Sequence, residues 1–379
     1  MLDNYKKNYF KFNRQDMLFI VLLAGIIAWF IFNASYIGRN PTFDMNSYIK
    51  LAENPISFSD RSIPGIHAQR IFGPILVWCL KNVLSISIDT AFRIVSDFSF
   101  VAFVFLFYSI LRGAKVVPMI AFGTTVFSMI SCWPATYSLA NIYQVCDAMT
   151  YPLMLIMIIL TVKRKINALF LVSMAGVLTR QPLFVMAFCS FLYLYTQDRK
   201  WRNILYFVFI AILFLYTSLF AGYKALDGLL CCMVTNGKFS NILIGIKETQ
   251  LPLLFSPFLL IFFNKDIFGY VKKYWWVALY AIIVIGSPFY IYFETLQQNV
   301  VRQIFQGIMP TFLLAGLLLN DTLKQFRVKL IYCILPFAYG LLHLSFIKNT
   351  YAPLVGHRYV MIFIMFLLVL WSRRMDRKI

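Results

Sequence analysis

The chain has 379 residues, of which 61% are hydrophobic and 13% are charged, and its mean hydropathy is +0.74. These values lie far from the averages of soluble globular domains, so an ordinary water-soluble fold is excluded. The net charge of +20 raises the question of a nucleic-acid partner, which depends on how the charges are distributed.

Apolar segments long enough to cross a bilayer recur along the whole chain. A membrane-spanning helix needs about 20 residues. We therefore predict an all-α, polytopic helical membrane protein in which residues 1–379 form a single transmembrane domain. About twelve spans are predicted from the apolar runs: 17–37, 91–111, 116–133, 148–162, 166–179, 182–197, 204–222, 251–263, 274–293, 304–319, 330–347 and 358–371.

The basic residues concentrate in short segments between these spans. With the N-terminus in the cytoplasm, the cytoplasmic segments hold 22 of the 35 Lys and Arg residues. This asymmetry follows the positive-inside rule, so both termini are predicted to be cytoplasmic. A nucleic-acid-binding face would be one contiguous basic surface, and no nucleic-acid partner is predicted because the charges are spread over seven small segments. The Lys-, Ile- and Phe-rich composition favours a bacterial cytoplasmic membrane.

The first exterior loop, 38–90, carries most of the charge on the exterior side. Within it, residues 71–86 are apolar but interrupted by Pro74 and Lys81. Because of these interruptions, the segment is predicted to be a re-entrant or interfacial helix and not a full span. The density of ionisable groups predicts that the loop holds the candidate catalytic site.

Arginines recur at the exterior entrances of the predicted spans. An ionisable residue beside an apolar segment is costly unless it is paired or hydrated, which makes each one a functional candidate. Guanidinium binds phosphate in a fork geometry, so several converging arginines would suit a lipid-linked phosphate or diphosphate. The alternative is that each arginine pairs locally or extends to the interface. The arginines are Arg70, Arg93, Arg180, Arg302 and Arg358.

Each exterior carboxylate has a catalytic and a structural interpretation. Asp44, which follows the first span, is placed to accept a proton from an incoming hydroxyl group. It would equally suit the N-cap of a helix beginning at Met45. Asp147 stands at the start of an apolar helix and has the same two interpretations. His67 is a candidate acid, base or substrate contact, or a hydrogen-bonded loop residue, and Asp60 is a further exterior carboxylate.

Several chemistries lack the sequence motifs that they require. No GxSxG, HExxH or Walker motif occurs, so serine hydrolase, zinc protease and ATPase functions are unsupported. The seven cysteines form no CxxC pair, and no metal signature appears. Cys132 and Cys146 flank a predicted exterior loop, which leaves open a disulfide between them.

The first exterior loop contains Asp44…Tyr48…Ala52…Asn54-Pro55, followed by Gln69-Arg70…Pro74. This order resembles the first exterior loop of GT-C glycosyltransferases, polytopic enzymes that use polyprenyl-phosphate-linked sugars. Two departures are Met45, where that loop usually has Gly, and Gln181, where an acidic residue is frequent. There is also no Asp-x-Asp or Glu-x-Asp pair. Downstream, the Leu-Thr-Arg that closes a helix pair in several of these families is similar to Gly176-Val177-Leu178-Thr179-Arg180. Their late spans, each led by an arginine, are similar to Arg302…Pro310 and His357-Arg358-Tyr359.

The resemblance implies a metal-independent, inverting transfer of a sugar to a glycan or lipid-linked acceptor, as in the biosynthesis of cell-envelope polysaccharides. No cofactor is implied. Asp44 would be the catalytic base. The substrate-binding residues would be Tyr48, Asp60, His67, Arg70, Asp147, Arg180, Arg302, His357 and Arg358.

Two other functions fit the same pattern of residues. A polysaccharide polymerase would join lipid-diphosphate-linked repeats and would rely on arginines more than on Asp44. A transporter or flippase of lipid-linked sugar would perform no chemistry, and it predicts ionisable residues along a path through both leaflets. The transferase is favoured over the transporter because the ionisable candidates gather at one face.

Overall fold

The computed structural model describes residues 13–33, 43–56, 63, 65–131, 139, 141–220, 267–290 and 296–325. Within these ranges every regular element is a helix and there is no strand. The helices are α1 (Arg14–Asn33), α2 (Phe43–Glu53), α3 (Gly65–Ala68), α4 (Phe72–Leu84), α5 (Ile88–Gly113), α6 (Pro118–Ser131), α7 (Val145–Val162), α8 (Ile166–Val177), α9 (Gln181–Asp198), α10 (Trp201–Phe220), α11 (Ile267–Lys273), α12 (Trp275–Tyr290) and α13 (Leu296–Gln325).

The described helices are consistent with an integral membrane protein. Five of them, α1, α5, α7, α10 and α13, are long and apolar enough to cross a membrane. The pair α11 and α12, bent by 83°, makes six if it counts as one broken span. The all-helical class is therefore confirmed for the described residues and agrees with a membrane protein, while the total of about twelve spans stays a prediction. Three predicted spans, 251–263, 330–347 and 358–371, lie outside the described residues.

Helix α4 occupies the segment for which the sequence predicts a re-entrant or interfacial helix. It has 13 residues and is therefore about 20 Å long, shorter than the roughly 30 Å hydrocarbon core of a bilayer. Its N-terminal half is buried in protein, with Gly73, Pro74 and Val77 all buried. A short helix packed in this way can be held at depth by protein contacts alone, and it packs against α2, α5 and α7.

The helices pack around one large apolar core. Helix α5 contacts α6 and α7, α7 contacts α8 and α9, α9 contacts α10 and α12, and α12 contacts α13, which returns to α6. Helices α1 and α10 are the least buried of the candidate spans. Their outer sides carry exposed Trp29, Phe209 and Leu219. Large exposed apolar side chains on these two helices suit contact with lipid.

Short connections make successive helices antiparallel, so the bundle has two distinct ends. The turns after α5, α7 and α9 lie at one end, which we call the basic end. Lys115, Arg164 and Arg199 occupy these turns with φ of 62°, 55° and 53°. Basic side chains here complement the negative C-terminal ends of the preceding helices. Asp16 of α1 pairs with Arg112 of α5 at the same end.

Candidate functional site

Three helix N-termini meet at the other end of the bundle, which we call the site end. The amide of Phe72 in α4 donates to the carbonyl of Leu178, just before α9, at 3.0 Å. Gly73 lies so close to α7 that a Cβ atom there would come within 2.9 Å of Val145 Cγ1. Helix α9 begins at Gln181 beside them. Helix N-termini carry a partial positive charge and unsatisfied N–H groups, so this convergence favours anions.

Arg70 lies in the connection before α4, and its side chain is 8% exposed. Its Nη1 donates to Tyr48 Oη at 3.2 Å, and its Nη2 donates to Gln181 Oε1 at 3.2 Å. Its Nε is buried and has no hydrogen-bond partner among the described residues. Burial acts to lower the pKa of Arg70, but the contacts with Tyr48 and the charge of Asp147 outweigh burial and raise it. The guanidinium is therefore a permanent buried cation.

A chain of neutral amides continues from Arg70 to α10. Gln181 Nε2 donates to Gln69 Oε1 at 3.0 Å, and Gln69 Nε2 donates to Ser218 Oγ at 2.7 Å. Gln69 and Ser218 are almost fully buried. The chain thus joins the α3–α4 connection, the start of α9 and the end of α10, three segments that are far apart in sequence.

A buried ion pair stands next to this amide chain. Arg180 forms a salt bridge with Asp147 in the first turn of α7, and the two side chains are 6% and 3% exposed. Gln306 of α13 donates through Nε2 to Asp147 Oδ1 at 3.2 Å. Asp147 therefore bonds to partners from two other parts of the chain. This explains how α7, α9 and α13 are held in register at the site end.

Helix α2 contributes the wall of the site through Tyr48 and its neighbours. Tyr48 is fully buried, and its ring lies 5.4 Å from the His67 ring, centroid to centroid. Below them, a second apolar cluster includes Met45, Leu51 and Val77. Helix α2 begins at Phe43, so Asp44 is the second residue of the helix and lies one turn before Tyr48. It is therefore not the N-cap of a helix beginning at Met45.

The described part of the site carries more positive than negative charge. Arg70 and Arg180 are both buried at one end of the bundle, and Asp147 is the buried carboxylate beside them. Among the described side chains, no carboxylate forms an ion pair with Arg70. A buried charge is costly unless it is compensated, so this arrangement is suited to binding an anion. The described residues contain no cluster of three or more His, Cys, Asp or Glu residues with metal-binding geometry.

The structure brings together five of the residues that the sequence singled out. Tyr48, His67, Arg70, Asp147 and Arg180 all lie at the site end. The contacts described above are all with other side chains of the protein, so the proposed contacts with a substrate stay predictions.

The remaining predicted residues have other outcomes. Asp44 and Arg302 lie in α2 and α13, where their side chains are outside the described part, and Arg302 stands one turn before Gln306. Arg93 pairs locally with Asp97 at 3.5 Å, as the alternative interpretation of the arginines expects. Cys146 is a free thiol that donates to Arg70 O, so it forms no bridge to Cys132. Asp60, His357 and Arg358 lie outside the described residues.

Gln69, Ser218 and Gln306 belong to the site but were not among the predicted site residues, although Gln69 was part of the Gln69-Arg70 match. Gln306 did give a signal, because a large polar amide inside a predicted span tends to form a hydrogen bond with a neighbouring helix. Ser218 gave none, since serine is common in membrane helices. Gln181 drew attention only as a departure from the family pattern, and the structure places it at the centre of the amide chain.

Comparisons of the chain with protein-family models, with curated proteins and with solved structures gave no match.

Proposed function

We propose that this chain is a GT-C-type membrane glycosyltransferase. It transfers a sugar from a polyprenyl-phosphate-linked donor to a glycan or lipid-linked acceptor at the exterior face of a bacterial cytoplasmic membrane. The observation that carries the proposal is the buried positive charge at the site end, where Arg70 and Arg180 lie among three helix N-termini with Asp147 as the buried counter-ion. The resemblance of the exterior segments to this family adds the reaction type.

In the proposed reaction, an oxygen of the acceptor attacks the anomeric carbon of the donor sugar. The carboxylate of Asp44 takes the proton from that hydroxyl group, which makes the oxygen a stronger nucleophile. The bond between the anomeric carbon and the phosphate oxygen breaks, and the phosphate leaves with the electron pair. Arg70 and Arg180 stabilise the charge that develops on the phosphate, a contribution of the kind that often dominates catalysis. No metal takes part.

The proposal includes a membrane arrangement. It has about twelve spans, as the apolar segments predict, with both termini in the cytoplasm and the site end outside. This orientation places the basic turns containing Lys115, Arg164 and Arg199 on the cytoplasmic side, in agreement with the positive-inside rule.

A polysaccharide polymerase is the second candidate, and one observation favours it. The only carboxylate that the described residues place in the buried cluster, Asp147, is already paired with Arg180. A site dominated by arginines suits a reaction between two lipid-diphosphate substrates in which no enzyme base is needed. A transporter is less well supported, because the described centre of the bundle is an apolar core and not a polar path.

The decisive experiment is to incubate the purified full-length chain with polyprenyl-phosphate sugars and to look for sugar transfer or donor hydrolysis. Turnover of a monophosphate donor, abolished in Arg70→Ala, supports the transferase. Turnover of lipid-diphosphate repeats alone, with chain extension, supports the polymerase. Binding of either lipid without any release of sugar would contradict both enzymes and favour transport.

A further inference from the structure

Arg70 and Arg180 are both buried at the site end, but their partners differ in charge. Arg180 has a carboxylate partner, Asp147. Arg70 is held by two uncharged oxygen atoms, those of Tyr48 and Gln181, and its Nε is unpartnered among the described residues. A guanidinium has five N–H donors. Two uncharged partners therefore fix Arg70 in position, and no carboxylate among the described side chains forms an ion pair with it.

Gln181 is the residue that makes this possible. A guanidinium can only donate, so the carbonyl oxygen of the Gln181 amide must face Arg70. Its amide nitrogen then donates to Gln69, which is held in turn by Ser218. A glutamate at this position would keep the acceptor for Arg70, but it would neutralise the cation and lose the donor to Gln69. The neighbouring Arg180–Asp147 pair shows that carboxylates are used elsewhere in the same site.

We infer that Gln181 is a positioning and specificity residue, which orients Arg70 through a neutral amide and so reserves its positive charge for the phosphate of an anionic substrate. This inference rests on the proposed function, because it names the residue that sets the charge of the ligand at that same site.

The test measures binding of a polyprenyl monophosphate without sugar to the full-length protein in nanodiscs, with the uncharged polyprenol as a second probe. Gln181→Glu is expected to weaken monophosphate binding about tenfold or more, where tenfold corresponds to about 1.4 kcal/mol, and to leave polyprenol binding unchanged. A purely structural role for Gln181 would weaken binding of both probes alike. Equal monophosphate affinity in Gln181→Glu and the unmodified chain would overturn the inference.

Three further variants separate charge from shape. Gln181→Met keeps the site uncharged but removes both hydrogen bonds, so its loss of monophosphate affinity should be smaller than that of Gln181→Glu. Gln69→Glu adds a negative charge one residue further along the amide chain and should give a smaller, phosphate-specific loss. If Gln181→Glu fails to fold, Gln69→Glu becomes the deciding variant. The inference is then overturned if Gln69→Glu binds the monophosphate as tightly as the unmodified chain does. Asn167→Asp, at an exposed position in α8, is the control and should bind normally.

The outcome for the unmodified chain distinguishes this inference from the proposed function. If the unmodified chain does not bind the monophosphate in preference to polyprenol, the proposed function and the inference both fail. If it does bind the monophosphate preferentially, the proposed anion site stands, and the Gln181 variants alone decide the inference.

Discussion

Removing the charge of Asp147 tests whether this residue is the counter-ion of Arg180. Asp147→Asn keeps the size of the side chain and leaves Oδ1 available to accept from Gln306 Nε2, which is now 3.2 Å away. The variant removes the charge that compensates Arg180, which is only 5% exposed. The two side chains are among the most buried charged groups of the described residues, so solvent screens their interaction weakly.

The expected loss of stability follows from this burial. Removing one partner of a buried ion pair leaves an uncompensated charge and costs about 3–5 kcal/mol. The double variant Asp147→Asn/Arg180→Gln removes both charges and should recover much of that loss, because a buried pair contributes little net stability relative to neutral replacements. Asp198→Asn is the matched control, since Asp198 pairs with the more exposed Arg164. It should change stability by about 0–1 kcal/mol.

The measurement is the free energy of unfolding in mixed micelles, followed by tryptophan fluorescence during titration with a denaturing detergent. The counter-ion role of Asp147 is refuted if the unfolding free energy of Asp147→Asn lies within about 1 kcal/mol of that of the unmodified chain, the upper range of an exposed pair. It is also refuted if the double variant is as unstable as the sum of the two single variants. Loss of sugar transfer with unchanged stability would instead assign Asp147 to the chemistry.

Four further outcomes are expected. Asp44→Asn should lower sugar transfer by about two orders of magnitude or more, as expected for a general base, while binding of the lipid-phosphate donor survives; near-normal transfer would remove Asp44 from the mechanism. Gly73→Ala should destabilise the protein by about 1–3 kcal/mol, because its Cβ would lie 2.9 Å from Val145 Cγ1 and 3.0 Å from Cys146 Sγ; Gly25→Ala, which meets no atom within 4 Å, is the control. Asp16→Asn breaks the pair with Arg112 at the basic end and should lower stability without changing lipid-phosphate affinity, and a change in that affinity would mean that the two ends are coupled. A cysteine introduced at position 164 should react only with probes on the cytoplasmic side, and labelling from outside would reverse the proposed orientation.

The sequence by itself predicted the class of protein and the positions of most described helices. Apolar runs at bilayer length are a local property of the chain, because each helix satisfies its own backbone hydrogen bonds in a membrane. The same local logic singled out Arg70 and Arg180, since a charge beside an apolar segment must have a function or a partner. The interrupted apolar segment 71–86 also predicted a short helix, which the structure has as α4.

Only the tertiary structure decided which of these groups are partners. Arg70 bonds to Gln181, 111 residues away, and Gln306 bonds to Asp147, 159 residues away. Such pairs depend on how helices pack and in which register, and no local pattern encodes either. Moreover, the sequence around a glutamine or a serine does not indicate whether its side chain has a hydrogen-bond partner on another helix. The different charge balance at Arg70 and Arg180 therefore emerges only when α4, α7, α9 and α13 pack together, because packing determines which buried charge lies next to a carboxylate and which lies next to an amide.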